Sequence, residues 1–311
     1  MAAGRPVRGD VNGVLLFDKH AGLSSNGCLG IVKRLFAARK AGHTGTLDPF
    51  ATGLLPVALG EATKFSQGLL GADKTYRATM RLGVTTTTGD TEGEVVATAP
   101  VNVEAEALDS ALARFRGPIK QVPPMYSALK RDGKPLYAYA RAGLVVEREA
   151  RPVIILALDL LGRDGPMVEF RVRCSKGTYV RTLAEDIGAM LGCGAHLTAL
   201  RREAVGDLTL QQAISAEALD ALTPCQRLAC LLPVDSLVAR MPRLSLDPAR
   251  AARLRLGQSV AIESGTMPDV SAMRIYDEGG CFLGIAGAEN NVLRPLRLTA
   301  SGPAVSGLPE Q

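Results

Sequence analysis

The sequence is bounded first by what it lacks. Its six cysteines (Cys28, Cys174, Cys193, Cys225, Cys230 and Cys281) include no C-x-x-C pair. That speaks against a structural zinc site and a disulfide framework, and for free thiols in a reducing cytoplasm. The three histidines, His20, His43 and His196, lie far apart and outside any H-E-x-x-H run, so no metal is expected. No stretch approaches the roughly 20 apolar residues that cross a bilayer. The longest, Val153 to Leu161, is interrupted by Asp159. Arg5, Arg8 and Asp10 precede only a short apolar run, which is not the pattern of a signal peptide. Internal repeats are absent too. These gaps leave a metal-free, cytoplasmic globular protein as the expectation.

What is present adds direction. With 311 residues and 47% hydrophobic content, the chain can bury one large core and a smaller one. A net charge of +5 permits a nucleic-acid partner without demanding one. Basic residues cluster at Lys33-Arg34, Arg39-Lys40, Lys130-Arg131, Arg171-Arg173-Lys176 and Arg201-Arg202, and along Arg240 to Arg255. Any one cluster is better read as a solvated face, but several beside Gly-rich loops favour a phosphate-tracking surface.

Periodicity predicts strands over Gly13 to Lys19, Thr75 to Leu82, Val95 to Thr98, Val153 to Leu161 and Val168 to Cys174. Helices are expected from Ser24-Ser25 to about Ala38, over Glu61 to Leu70, Val103 to Phe115, Leu136 to Ala142 and Thr178 to Leu191, with a hairpin at Arg131-Asp132-Gly133. Leu232-Pro233 to Pro242 reads as a linker. Beyond it, Pro248 to Leu256 suggests a short basic helix, and Ser271 to Ile275, Cys281 to Gly287 and Val292 to Leu298 suggest strands. Strands and helices mix without regular βαβ alternation, so the fold class is α+β. The expected domains are 1–240, 241–300 and a flexible tail at 301–311.

The segment Ala41 to Gly53 sets one carboxylate, Asp48, among three glycines, Pro49, His43 and several threonines. Asp-Pro alone is an ordinary turn opener. The full run, however, supplies permissive backbone and polar groups at close quarters, as a reactive Asp requires. Further along stand Lys74-Thr75-Tyr76-Arg77-Ala78, Arg173 to Leu183 with Tyr179 and Arg181, and Gly194 to Arg202 with Leu200.

In order and spacing these segments, from Gly13-Val14-Leu15-Leu16-Phe17-Asp18-Lys19 to Arg202, resemble the tRNA pseudouridine-55 synthases of the TruB family, in the bacterial stand-alone form. The resemblance implies a pseudouridine synthase fold with a mixed, largely antiparallel sheet and a small C-terminal PUA-like β domain. It also implies isomerisation of uridine in the T arm of tRNA, with no cofactor. By the resemblance Asp48 is the nucleophile, Tyr76 lies against the target base and Arg181 completes the catalytic set. His43, Tyr76, Tyr179 and Leu200 bind substrate, and Lys19, Lys64 and Asp90 support RNA or Arg181. His20 departs from the family, which commonly has Pro there. No protein partner is required, and a monomer is expected.

Physical chemistry adds its own conditions. An Arg within about 4 to 6 Å would hold the Asp48 pKa down by roughly 1 to 3 units. The target base must leave its stack at a cost of a few kcal/mol, which phosphate anchors would offset. Two other readings compete. An RNA chaperone that binds and folds tRNA would need no Asp48, Tyr76 and Arg181 constellation. A glycoside-type hydrolase would want a second carboxylate as acid.

Overall fold

The computed structural model describes residues 9–262 and 270–300. Strand β1 (Gly13–Lys19) buries almost every side chain. In α1 (Ser25–Leu35) the Ser24 hydroxyl accepts the Gly27 amide, the N-cap expected there. Val32 and Phe36 face the core, and the helix stops where Ala37 enters the left-handed region at φ 48°. β2 (Ala41–His43) and β3 (Thr52–Leu59) bracket the Asp48 loop. β3 has no counterpart among the predicted strands. All but its first residue is buried, so it shows no alternation, and Pro56 argues against a central strand. That proline still serves as an acceptor, for the Thr44 amide at 3.1 Å.

The predicted helix over Glu61 to Leu70 divides into a 3-10 turn, Gly60–Phe65, and a short α2 (Gln67–Leu70). β4 (Lys74–Leu82) alternates as predicted, with Ala78, Met80 and Leu82 inward. β5 (Val84–Thr86) and β6 (Val95–Thr98) pair as a separate ribbon, and α3 (Ala105–Arg114) buries Leu108 and Leu112. β7 (Gly117–Gln121) leads to a hairpin of β8 (Lys130–Arg131) and β9 (Lys134–Pro135), turned by left-handed Asp132 and Gly133, then to α4 (Leu136–Arg141). The long strands β10 (Arg151–Asp164) and β11 (Met167–Cys174) precede α5 (Val180–Met190), which buries Leu183 and Ile187.

β12 (Ala195–Val205) is another unpredicted strand. Register shifts at Leu197/Ala199 and Arg202/Ala204 break its alternation. β13 (Leu208–Thr209) folds back on it, followed by the short helices α6 (Ala216–Ala221) and α7 (Pro224–Ala229).

The main sheet has nine strands. Seven run in the order β1-β3-β12-β4-β11-β10-β7, with β2 added to β3 and β13 to β12. Every pair is antiparallel except β3 with β12, so the sheet is mixed and largely antiparallel, in an α+β architecture. The parallel pair sets Gly53 beside Arg202. Gly53 has φ 99°, and a Cβ there would collide with the Arg202 backbone, so only glycine fits. The main core fills one side of the sheet under α1, α3 and α5, and a second cluster holds Val14, Leu16, Leu54 and Phe65.

The predicted linker is corrected here. Val234–Val238 forms a 3-10 turn whose Leu237 and Val238 are buried in that second cluster. Its apolar residues are too few to show a period, yet they close the core.

The remaining elements, β14 (Arg243–Leu246), α8 (Pro248–Arg255), β15 (Val260–Ala261), β16 (Val270–Asp277), β17 (Phe282–Glu289) and β18 (Val292–Leu298), build a five-stranded sheet with its own core. Phe282 meets Phe65 edge-on at 5.1 Å between ring centres. Among the described residues no helix is long and apolar enough to cross a membrane. The expected flexible tail, 301–311, lies outside the described residues.

Candidate active site

The loop between β2 and β3 is held from both ends by buried cations. Lys19, fully buried at the end of β1, donates to the carbonyls of His20 (3.0 Å), Pro49 (3.0 Å) and Ala51 (2.6 Å). Arg202, 1% exposed, donates to Leu54 O at 2.7 Å, Gly45 O at 3.1 Å and Thr46 O at 3.5 Å. Between them the Ser25 hydroxyl accepts the Leu47 amide at 2.8 Å and donates to its carbonyl at 3.0 Å. Asp48 therefore projects from a loop whose backbone acceptors are fixed by side chains of three other elements.

Arg181, in the first turn of α5, meets Asp48 as the sequence suggests, Nε lying 3.0 Å from Asp48 Oδ2. Its Nη1 lies 3.4 Å from Asp90 Oδ2 and donates to Thr88 O at 2.7 Å, while Nη2 donates to Tyr126 O at 2.7 Å. Asp90 is itself fixed by the Thr88 hydroxyl and the Glu92 amide. The guanidinium, 3% exposed, is thus satisfied on every edge, while Asp48 stays about a third exposed.

One expectation fails. Burial pushes the Asp48 carboxyl above the ordinary range, and nearby Asp90 adds to this; Arg181 and Lys19 pull it down without cancelling the rise. The pair forms, but removing a carboxylate from water outweighs the attraction.

Asp48, Tyr76, Tyr179, Arg181 and Leu200 all line one cavity of about 350 Å³. Burial raises the Tyr76 phenol pKa, with Arg202 partly opposing. Tyr179 is extended at φ −102° and ψ 109°, and Gln121 clamps its backbone, accepting its amide at 3.0 Å and donating to its carbonyl at 3.2 Å. Leu200 forms a wall from β12, in register with Ala78.

The other named residues fall outside the cavity lining. Lys19 lies beneath the loop and Asp90 behind Arg181. His43 sits on β2 with Nδ1 unpartnered among the described residues, and burial pushes its pKa down. Lys64 is not brought to the site. It pairs with Glu61 at 2.7 Å and donates to Leu298 O at 3.1 Å, joining the main body to the C-terminal sheet.

Sequence reasoning missed Gln121, Ser25 and Arg202 as parts of the site. Arg202 had been counted in a basic surface cluster, and its burial corrects that. Its signal was a charge on the inward phase of a strand, which the bulges of β12 conceal.

Comparisons with known proteins identify the family. Residues 33–180 match the model of the TruB family pseudouridylate synthase N-terminal domain. Residues 181–239 match the tRNA pseudouridylate synthase B C-terminal domain, and 242–299 the pseudouridine synthase II TruB C-terminal model. A tRNA pseudouridine synthase B of Burkholderia mallei is 59% identical over 302 residues, covering 96% of this chain and 97% of its own. That of Cupriavidus metallidurans is 58% identical over 301 residues, covering 94% and 96%. Among solved structures, a chain of an H/ACA RNP bound to a substrate RNA containing 2'-deoxyuridine aligns with a TM-score of 0.71 at 23% identity, over 93% of this chain and 85% of that one, a likeness of fold. The chain belongs to the TruB family of pseudouridylate synthases.

Proposed function

We propose that this protein is a tRNA pseudouridine synthase acting on uridine-55 of the T arm, with Asp48 as nucleophile. The observation that carries the residue assignment is the placement of Asp48 at the cavity, tied to buried Arg181 and facing Tyr76 and Leu200. The relatives' shared name supports tRNA as the substrate. The reaction is an isomerisation. The C1'–N1 bond breaks, the uracil turns while held, C5 bonds to C1', and the proton lost from C5 is balanced by one gained at N1.

Each residue has a place in that sequence. The Asp48 carboxylate attacks in its ionised form, steered by Arg181. Tyr76 lies against the uracil, with Tyr179 and Leu200 as the other walls. His43 contacts RNA outside the cavity, and Lys19 and Asp90 hold the loop and the guanidinium. The C-terminal sheet acts as a PUA-like RNA-binding unit. The enzyme works as a monomer in the cytoplasm without a partner. A hydrolase reading has less support, since Asp48 is the only carboxylate lining the cavity among the described residues.

The test is Asp48→Asn. It is expected to bind tRNA nearly as the parent does yet release no tritium from RNA carrying 5-tritiated uridine. Full turnover by this variant would end the proposal.

A further inference from the structure

The start of α5 is built unlike a capped helix. Tyr179 supplies no side-chain cap, and no acidic residue stands in the first turn. The Val180 and Arg181 amides have no acceptor among the described residues, and both residues line the cavity. Such a helix start presents free donors and partial positive charge.

A second observation is independent of the helix. Ser127 is 5% exposed and lines the same cavity, and its Oγ has no hydrogen-bond partner among the described residues. It lies close enough to Tyr179 to oppose, in part, the rise that burial gives the phenol, but makes no hydrogen bond in the geometry observed. A buried hydroxyl without a partner is costly, so a ligand oxygen is its natural completion.

The third element is Lys176, exposed on the turn before α5 and paired with no carboxylate. Other cations nearby are committed. Lys74 donates to Leu70 O and Ala72 O, and Arg181 and Arg202 are held as described. The lining sets one carboxylate, Asp48, against Lys74, Lys176, Arg181 and Arg202. That balance suits an anionic ligand group better than a neutral base or a ribose hydroxyl.

The geometry points to a phosphate subsite in which Ser127 Oγ, the first amides of α5 and Lys176 hold a phosphodiester of the RNA strand flanking the uridine at Asp48. This deepens the function proposed above and rests on it. The subsite would fix the strand beside the extruded nucleotide, so that part of the unstacking cost is met next to the reacting sugar.

The test uses a hairpin RNA with one target uridine, its phosphate on either side replaced in turn by a neutral methylphosphonate. For the parent protein one of the two replacements is expected to weaken binding about 10-fold, as loss of a charge-assisted contact does. In Lys176→Ala and Ser127→Ala that penalty shrinks, and for Lys176→Ala the slope of log Kd against log salt falls by about 0.7 to 0.9. The Lys176 variant lies in an exposed turn, so misfolding does not obscure it. Equal penalties in parent and both variants, or no penalty in the parent, would overturn the subsite. Pseudouridine formation on the unmodified hairpin is scored separately, and its failure in the parent would overturn the function instead.

Discussion

The two sides of the nine-stranded sheet use arginine in opposite ways. On the open side, Arg77, Arg171 and Arg201 stand in register across β4, β11 and β12 and pair with Glu169, Glu203 and Asp18. These side chains are partly or largely exposed, where an ion pair gains little over water. On the cavity side, Arg181 and Arg202 are almost wholly buried, and each is wrapped by carbonyls or carboxylates. The first group lies on the part of that face which the second cluster leaves exposed. The second holds a loop in one geometry, and its charge cannot be removed without leaving acceptors stranded.

The sharpest way to break this contrast is Arg181→Met. It removes the guanidinium that Asp48 and Asp90 share, and activity should vanish with a loss of about 3 to 5 kcal/mol in denaturant unfolding. A stable, active variant would erase the distinction between the sides.

Next in size is Arg202→Met, which strands the Gly45 and Leu54 carbonyls. A loss of about 2 to 3 kcal/mol is expected. Turnover should fall, and the fall should appear in kcat more than in KM because the displaced group is the Asp48 loop.

The third prediction concerns pH. Asp48 has a folded pKa above its ordinary 3.8, so the parent loses stability as pH rises from about that value through the folded one, and the loss is complete above it. Asp48→Asn has no such loss. Its melting temperature relative to the parent should therefore climb with pH and then level off, and the acid limb of parent activity should lie above the usual carboxylate range. A difference that shrinks as pH rises would show that Arg181 dominates.

Smallest of all is the open side. A double-mutant cycle on Arg77→Ala and Glu169→Ala should give no resolvable coupling in thermal unfolding. A strong coupling would mean that the exposed row is structural after all.

The sequence made the site legible because its motifs are local: Asp48, Tyr76, Tyr179 and Arg181 each sit in a short run with a distinctive neighbour, and all line one cavity. What it hid depends on distant pairing. β3 is buried on both faces and carries Pro56, so neither alternation nor composition marks it as a strand. β12 is interrupted by two bulges, and Arg202 therefore looked like one more surface cation. Gln121 could not be recognised, since its role is a reciprocal bond to the Tyr179 backbone across 58 positions. The raised pKa of Asp48 was out of reach for the same reason, as burial is a property of the assembled site.

The parallel pairing of β3 with β12 also bears on when the protein becomes competent during synthesis. Arg202 reaches Gly45 across a sequence separation of 157 residues. Closing so long a loop is entropically slow, and such contacts form after local ones. A nascent chain that has emerged only through the Asp48 motif contains Asp48 with Lys19 and Ser25, but neither Arg181 nor Arg202. The Asp48 loop thereby reaches its full set of contacts only when the chain through β12 is complete.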